Sequence, residues 1–285
     1  MERAIKSVCA QTYTDREIIV VDDSPADYPL RSAVKSMTEN YAGVTYIQHE
    51  KNSGACKARN TGIAVAAGEY IALLDDDDEW LPDKLTKQAA ELQKSGAALV
   101  YNNYIQINDD TGRQQIIRLP AHAGNVYREL LAHNFIGSCS FPMVKAEAIR
   151  AVGGFDETLP SCQDWDMWLR IAKLYPVVFL PEPLCIYHAF HGENISGRAY
   201  NKVDGFEKIL LKYYEDIIPD RELYWRHLIR LAPMYGWNRQ VKQAIRCWGK
   251  AVVLRPLRIR ENCLYLAGRL ARQAYRKAAA RIRGS

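Results

Sequence analysis

Long hydrophobic runs are missing from this sequence of 285 residues. No stretch of about 18 apolar residues without a charge occurs, which excludes a helix of the kind that spans a membrane. The first residues, MERAIKSVCAQ, also lack the apolar core of a signal peptide. The sequence therefore predicts a cytoplasmic protein.

Closely spaced cysteine pairs are missing as well. Seven cysteines are scattered along the chain, and no two of them form a CxxC pair. An odd and scattered set argues against a disulfide framework and against a zinc site. We expect these cysteines to be reduced thiols.

Acidic residues are scarce in the last part of the chain. Residues 219–285 contain 16 Lys and Arg against 3 Asp and Glu, whereas residues 1–218 contain 22 against 30. The net charge of +5 therefore combines an acidic body with a basic tail. This asymmetry indicates two regions with different partners.

The body alternates short apolar runs with helix-like stretches. The predicted strands are EIIVVDD, VTYIQHE and EYIALLDDDD, and the predicted helices are PLRSAVKSMTENY, GACKARNTGIAVAA and PDKLTKQAAELQKSG. Strands that are apolar throughout, separated by helices, are typical of an α/β protein whose parallel sheet is covered on both faces. In such a sheet, ligands bind beyond the carboxyl ends of the strands.

Two of these strands end in carboxylates. Asp22 and Asp23 follow one apolar run, and Asp75, Asp76, Asp77 and Asp78 follow another. Two acidic clusters at one crevice predict a site for a hard divalent cation, Mg²⁺ or Mn²⁺. A solvated acidic turn that caps the next helix is the alternative, and for Asp22 alone it stays open.

Three separated motifs carry a family resemblance. RAIKSVCAQTYTDREIIVVDDSPAD, NSGACKARNTGIAVAAGEYIALLDDDDEWLPDKL and GGFDETLPSCQDWDMWLRIA occur in the order and spacing of bacterial family 2 glycosyltransferases. The resemblance covers about residues 2–200 and is particularly close to the branch that builds colanic acid, O-antigen and other surface polysaccharides. It implies a GT-A (Rossmann-like) fold over residues 1–215, with a mostly parallel sheet, and a basic helical extension over residues 216–285.

The resemblance also implies roles for individual residues. Asp23 matches the carboxylate that contacts the uracil of a UDP-sugar, and Asp75 to Asp77 match the DXD segment that binds Mn²⁺ or Mg²⁺. Asp77 is the expected direct metal ligand, Asp75 belongs to the same metal site, and Asp76 is expected near the ribose or diphosphate. The residues expected to bind the donor or its cation are Asp22, Asp23, Lys57, Arg59, Asn60, Asp75, Asp76, Asp77 and His191.

Asp164 in CQDWDMWLR matches the general base. The family usually has Glu-Asp here and this chain has Gln163-Asp164, so the pKa of Asp164 should be raised less than beside a second carboxylate. With one base and a metal-bound diphosphate as leaving group, the resemblance implies inversion without a covalent intermediate. His191 belongs to the segment YHAFHGENISG, which resembles a closing loop with Gly192 and Gly197 as hinges.

The resemblance implies an apolar first strand ahead of the helix RAIKSVCAQ, and this sequence starts with that helix. Without that strand, the sheet would have a gap with unpaired backbone groups. We therefore hypothesise that the sequence starts at an internal methionine of a longer reading frame. An in-frame upstream start followed by a strand-like segment supports this hypothesis, and a stop codon there excludes it.

The basic tail contains two helical patterns. LIRLAPMYGWNRQVKQAIRCWGKAVVLRP resembles one tetratricopeptide repeat, a helical hairpin that we expect to pack on the catalytic domain. ENCLYLAGRLARQAYRKAAARIRGS predicts a basic amphipathic helix suited to the anionic inner leaflet of the cytoplasmic membrane. Such a tail would hold the enzyme beside a lipid-linked (polyprenyl) glycan acceptor. Nucleic acid is not an expected partner.

Three functions remain open on the sequence. The leading one is an inverting, metal-dependent transferase that moves a sugar from a nucleotide-sugar to a growing surface polysaccharide. The others are a nucleotidyltransferase and a non-catalytic, membrane-associated assembly protein derived from a truncated transferase. Donor and acceptor identity should depend on segments such as NNYIQINDDTGRQQ and HNFIGSCSFP, with the latter on the acceptor side.

Overall fold

The computed structural model describes residues 1–189 and 199–258. The chain divides into two compact units. The first comprises Met1–Thr158 and Gln163–Gly192, and the second comprises Leu159–Cys162 and Glu193–Ser285. Among the described residues, no helix is long and apolar enough to cross a membrane.

The first unit begins with the predicted alternation of helices and strands. Its first elements are α1 (Glu2–Cys9), β1 (Ile18–Asp22), α2 (Arg31–Glu39), β2 (Val44–Gln48), α3 (Ala55–Val65), β3 (Tyr70–Ala72), β4 (Glu79–Trp80) and α4 (Lys84–Ser95). β1 and β2 pair in parallel from Ile18 opposite Val44 to Asp22 opposite Gln48. This βαβ unit confirms the strand and helix assignments for this part of the chain.

A second, six-stranded sheet holds the rest of the unit. The later elements of the first unit are β5 (Leu99–Asn108), β6 (Gln114–Ile117), α5 (Tyr127–Ala132), β7 (Met143–Lys145), α6 (Ala146–Ala151), α7 (Gln163–Leu174) and β8 (Val177–Ala189). The strand order is β3-β7-β5-β8-β4, and β6 pairs with β5. The long β5–β8 pair is parallel, whereas β3, β4, β6 and β7 pair antiparallel with their neighbours. The sheet is therefore mixed.

β1 and β3 lie in different sheets, and no hydrogen-bonded strand joins them within residues 1–189 and 199–258. The turns that precede them are nevertheless tied together, because Glu17 Oε1 accepts hydrogen bonds from the backbone N–H groups of Ala67 and Gly68 at 2.6 and 2.9 Å. The gap expected in the sheet stays a prediction. The hypothesis of a longer reading frame stays a prediction.

The main core of the first unit lies around α4. Trp80, Leu85, Leu92, Val100 and Phe141 form a buried cluster there. Trp80 Nε1 donates to the carbonyl of Ser140 at 2.9 Å, so the core anchors the chain directly after the aspartate run. The segment that carries the aspartate run is therefore anchored in a close-packed core.

The second unit is mainly helical within residues 199–258. It contains α8 (Ala199–Lys212), α9 (Tyr214–Ile217), α10 (Arg221–Trp237), α11 (Val241–Leu254) and a 3-10 turn (Pro256–Arg258). Asp220 caps α10 by accepting hydrogen bonds from the N–H groups of Glu222 and Leu223. α10 and α11 form the predicted hairpin. His191, the hinges Gly192 and Gly197, and the amphipathic segment 261–285 lie outside the described residues.

Candidate active site

The aspartate run lies between β3 and β4. Asp75 is held from two sides, because its Oδ1 accepts a hydrogen bond from Arg59 Nη2 at 2.7 Å and its Oδ2 accepts one from Ser138 Oγ at 3.1 Å. Its backbone N–H donates to Ser140 Oγ at 3.1 Å. Both oxygens of Asp75 therefore have a partner within the chain.

Asp76 and Asp77 lie closer to solvent, Asp76 exposed and Asp77 partly buried. Burial raises the pKa of Asp77, and the charges of Asp75 and Asp76 raise it further. Each ionised neighbour disfavours another negative charge, and a cation at this point would reverse that effect. The electrostatics of the run therefore favour a bound cation beside Asp77.

Asp78 has a different environment, since it is fully buried. Burial raises its pKa to about 7, against the hydrogen bonds from the Ser140 hydroxyl and the backbone N–H of His188. The ring of His188 bridges two more acids, with Nδ1 at 2.7 Å from Asp109 Oδ1 and Nε2 at 2.7 Å from Glu79 Oε1. His188 therefore ties the end of β8 to the residues that follow the aspartate run.

Asp22 and Asp23 both have internal partners. Asp22 accepts hydrogen bonds from the Ser24 N–H at 2.8 Å and the Tyr46 hydroxyl at 2.5 Å. Burial acts to raise the pKa of Asp22, but these hydrogen bonds outweigh it and the pKa is lowered. Asp22 is thus part of the βαβ framework.

Asp23 organises the loop ahead of α3. Its Oδ1 accepts from the Ser53 N–H at 2.8 Å, and its Oδ2 accepts from the Gly54 N–H at 2.7 Å. Gly54 has a φ of +93°, which a residue with a side chain would rarely adopt. His49 Nδ1 lies 2.8 Å from Asp23 Oδ1. The predicted contact of Asp23 with a nucleobase stays a prediction.

Lys57 and Asn60 face the loop that follows α6. Lys57 is exposed and lies 3.7 Å from Glu157 Oε1. Asn60 Nδ2 donates to the Phe155 carbonyl and to Glu157 Oε1, both at 2.9 Å, while Asn60 Oδ1 accepts from the Phe155 N–H at 2.7 Å. A Cβ on Gly154 would lie 2.6 Å from Asn60 Oδ1. The amide of Asn60 therefore clamps this loop and has little capacity left for a nucleotide.

Arg59 connects the aspartate run to α7. Its Nη2 donates to Asp75, and its Nη1 donates to Gln163 Oε1 at 3.2 Å. Burial acts to lower the pKa of Arg59, but the surrounding acids, with Cys139 and Asp75 as the largest contributors, raise it overall. One permanent cation therefore spans the space between the two motifs.

Asp164 stands in the first turn of α7. Its Oδ1 accepts from the Trp165 N–H at 2.7 Å, and its Oδ2 accepts from Asn134 Nδ2 at 3.1 Å. Burial raises its pKa to about 6, against the hydrogen bond from the Trp165 N–H and the charge of Arg59. Asp166, two residues on, is fully buried and paired with Arg170 at 2.9 Å. Of these two aspartates, Asp164 has the environment of a proton acceptor near neutral pH.

A second connection runs through residues 134–140, which we call the bridging segment. Asn134 contacts Asp164, and Ser138 contacts Asp75. Asn134 Oδ1 also accepts from the Gly137 N–H at 3.0 Å, and the Gly137 carbonyl accepts from Trp168 Nε1 at 3.2 Å. The bridging segment thus contacts both carboxylates, while Arg59 joins Asp75 to Gln163, the residue next to Asp164.

The model of the family described as glycosyl transferase family 2 matches residues 1–152. The chain is also 33% identical over 263 residues to the glycosyl transferase WcaA of Escherichia coli, a protein assigned to colanic acid biosynthesis, with 83% of this chain and 90% of that protein covered. The chain belongs to glycosyltransferase family 2. An uncharacterized glycosyltransferase of Rickettsia felis is 31% identical over 70% of this chain, and there the match spans 34% of the relative's length.

Solved structures support the fold of this family 2 member. TarS of S. aureus, solved in complex with UDP-GlcNAc, superposes with a TM-score of 0.64 at 16% identity, over 88% of this chain and 76% of TarS. The mannosyltransferase PcManGT of Pyrobaculum calidifontis, in complex with GDP-Man and Mn²⁺, gives 0.58 at 20% identity, over 98% and 81%. The predicted GT-A fold is confirmed.

A divalent cation fits this family 2 site only if protein carboxylates and substrate phosphates coordinate it together. No group of three or more His, Cys, Asp or Glu side chains in the described part of the chain is arranged to hold a metal ion. Asp76 and Asp77 nevertheless offer carboxylates beside Asp75, in the acid-rich environment that raises the pKa of Asp77. One or two carboxylates together with substrate phosphates are the usual ligand set for Mg²⁺. The donor set therefore fits a metal that binds with the diphosphate.

The sequence did not predict several residues that form contacts in this site. Asn134, Ser138 and Ser140 lie in HNFIGSCSFP, which was expected on the acceptor side but without individual roles. His188 stands three residues before the predicted His191. Asparagine and serine side chains give no charge signal, and their partners are distant in sequence: Asn134 is 30 residues from Asp164, and Ser138 is 63 residues from Asp75.

Proposed function

We propose that this chain is an inverting, divalent-metal-dependent glycosyltransferase that moves a sugar from a nucleotide-sugar to a hydroxyl of a glycan. The observation that carries the proposal is the connection of Asp75 to the start of α7: the bridging segment contacts both Asp75 and Asp164, and Arg59 joins Asp75 to Gln163 beside Asp164. A donor site and a proton acceptor built on one rigid support are what direct sugar transfer requires.

Asp164 is the general base of the proposal. Each of its oxygens accepts one hydrogen bond within the chain, which leaves lone pairs free to receive the proton of an acceptor hydroxyl. With a pKa of about 6, Asp164 is ionised at neutral pH and still basic enough to take that proton. Asn134 and the Trp165 N–H hold the carboxylate in one orientation.

Asp76 and Asp77 are the residues that would hold Mn²⁺ or Mg²⁺ against the donor diphosphate. A cation bound there neutralises charge on the leaving diphosphate. Asp75 forms an ion pair with Arg59 and Asp166 forms one with Arg170, and this pairing makes both carboxylates weaker nucleophiles toward the sugar. One base without a second nucleophile favours a single displacement, which inverts the configuration.

The relatives support the proposed acceptor and donor classes. Similarity to WcaA supports a growing or lipid-linked (polyprenyl) surface polysaccharide as the acceptor, and the complexes of TarS and PcManGT support a UDP- or GDP-sugar as the donor. The basic extension supports peripheral association with the inner face of the cytoplasmic membrane. We place the transferase in residues 1–215 and the membrane-directed extension in residues 216–285.

Calorimetric titration of UDP in the presence and absence of MnCl₂ tests the donor site. We expect wild-type binding to need manganese, Asp77→Ala to lose it, and Asp164→Asn to keep it. Asp15→Ala is the matched control, because Asp15 is exposed in the loop before β1, away from the strand ends. Release of UDP or GDP from a panel of UDP- and GDP-sugars then tests turnover, which Asp164→Asn should abolish.

The same measurements separate the alternatives. Wild-type protein that binds no UDP or GDP with manganese would contradict the proposal and favour a non-catalytic assembly protein. Release of pyrophosphate from a nucleoside triphosphate and a sugar phosphate would favour a nucleotidyltransferase.

A further inference from the structure

One side of α11 packs on α10. Cys247, Ala251 and Leu254 lie against the cluster formed by Trp225 and Leu228. These positions follow one another at steps of four and three residues, so they occupy one face of the helix. The rest of α11 is left for other contacts.

An apolar stripe runs along α11 outside this packed face. Val241, Ile245 and Trp248, at steps of four and three residues, expose 59%, 64% and 37% of their surfaces. Single exposed apolar residues are ordinary, but three in register on one helix form a continuous patch. Such a patch indicates a contact surface.

A basic stripe lies beside the apolar one. Lys242, Arg246 and Lys250 follow each other at steps of four residues, and all three are exposed. The helix contains no acidic residue. None of the three basic side chains forms an ion pair with another described residue. The positive charge of this stripe is therefore available to an external partner.

We infer that the two stripes of α11 form a docking surface for an anionic lipid bilayer, an inference that deepens the membrane association in the proposed function. Apolar residues next to Lys and Arg on one helix match the boundary between acyl chains and anionic headgroups. Trp248 has the indole side chain that is enriched at that boundary. A second copy of the chain fits less well, because a symmetric contact would bring two uncompensated basic stripes together.

Cosedimentation of the full-length chain with vesicles tests the surface. The vesicles contain either phosphatidylcholine alone or phosphatidylcholine with 30% phosphatidylglycerol, and binding is measured at low and high salt. We expect binding to the anionic vesicles only, with loss at high salt. Lys242→Gln with Lys250→Gln should weaken it about 30-fold, because each basic residue near such a surface contributes about fivefold.

Each double variant of α11 has a matched control in the first unit. Lys35→Gln with Lys94→Gln removes two exposed lysines from the first unit, so it should leave vesicle binding unchanged. Ile245→Gln with Trp248→Gln should weaken binding at least tenfold. Leu174→Gln with Ile116→Gln should not, although Leu174 and Ile116 are 63% and 50% exposed. Circular dichroism establishes that each variant is folded.

Three outcomes would overturn the inference. The first is equal binding to neutral and anionic vesicles, and the second is α11 variants that bind as their controls do. The third is a dimer in sedimentation equilibrium without vesicles that Trp248→Gln dissociates, which would assign the surface to a second copy. Vesicle binding needs no donor, and UDP titration of the same variants reports the donor site, so failure of the docking surface and failure of the transferase function are distinguishable.

Discussion

Replacing Asp164 by asparagine should abolish sugar transfer and yet make the protein more stable above neutral pH. The reason is the raised pKa of this carboxyl group, about 6 against an ordinary value of 3.8. The folded protein takes up this proton more readily than the unfolded chain does. Ionised Asp164 therefore destabilises the fold at pH 8, and the destabilisation disappears below about pH 4, where both states are protonated.

The magnitude follows from the shift. A shift of about 2 pKa units corresponds to about 3 kcal/mol at pH 8. An asparagine keeps the hydrogen bond from the Trp165 N–H but turns its own amide N–H toward the Nδ2 of Asn134, at a cost of about 1 kcal/mol. The net gain in the free energy of unfolding is about 2 kcal/mol. For a unit of this size, the midpoint of thermal unfolding should rise by about 4–8 °C at pH 8.

Thermal unfolding of wild type and Asp164→Asn at pH 4, 6 and 8 checks this reasoning. The difference in Tm should be near zero at pH 4 and should grow with pH. Asp166→Asn is the matched control, and its Tm should fall at pH 8 because the substitution leaves Arg170 without its buried partner. A Tm difference for Asp164→Asn that is the same at all three pH values, or negative at pH 8, would refute the electrostatic account.

Two further predictions concern the surroundings of the base. Asn134→Ala removes a hydrogen bond to the ionised form of Asp164, so the pKa should rise by about 1 unit and the acid limb of the pH profile of kcat/KM for sugar transfer should move to higher pH. Asn125→Ala removes a side chain that accepts a hydrogen bond from the Tyr127 N–H, so it should leave the profile in place, and an unchanged profile in both variants would exclude Asn134 as a positioning residue. Gln163→Glu adds a negative charge beside Asp164 and should move the same limb to higher pH, an effect reduced by Arg59; movement to lower pH would contradict it.

The order of the elements and the positions of the acidic groups could be read from the sequence. Strands such as EIIVVDD and EYIALLDDDD are continuous apolar runs ended by carboxylates, and local physics alone predicts their type and their ends. Family membership rested on three separated motifs and is confirmed. The roles of Asp23, Arg59, Asp77 and Asp164 in binding and catalysis stay predictions, although Arg59, Asp75 and Asp164 do share one hydrogen-bonded site.

The hydrogen-bond partner of each side chain could not be predicted from the sequence in this way. The family resemblance implies a nucleotide contact for Asn60, which stays a prediction, whereas its hydrogen bonds to the Phe155 backbone, 95 residues away in sequence, gave no signal in the sequence. Asp22 and Asp23 are adjacent, yet Asp22 bonds to Tyr46 and Asp23 to the loop before α3. Alternation along a strand points neighbours to opposite sides, and which side holds a partner depends on the packing of distant segments.

By itself, the sequence determined the α/β class, the family, the acidic strand ends and the basic tail, because periodicity and charge are local properties of the chain. The tertiary structure alone decided which carboxylates have partners, that Arg59 reaches Gln163 across 104 residues, and that α11 leaves an apolar stripe exposed. Hydrogen bonds and burial depend on which surfaces meet, and those contacts join residues far apart in the chain.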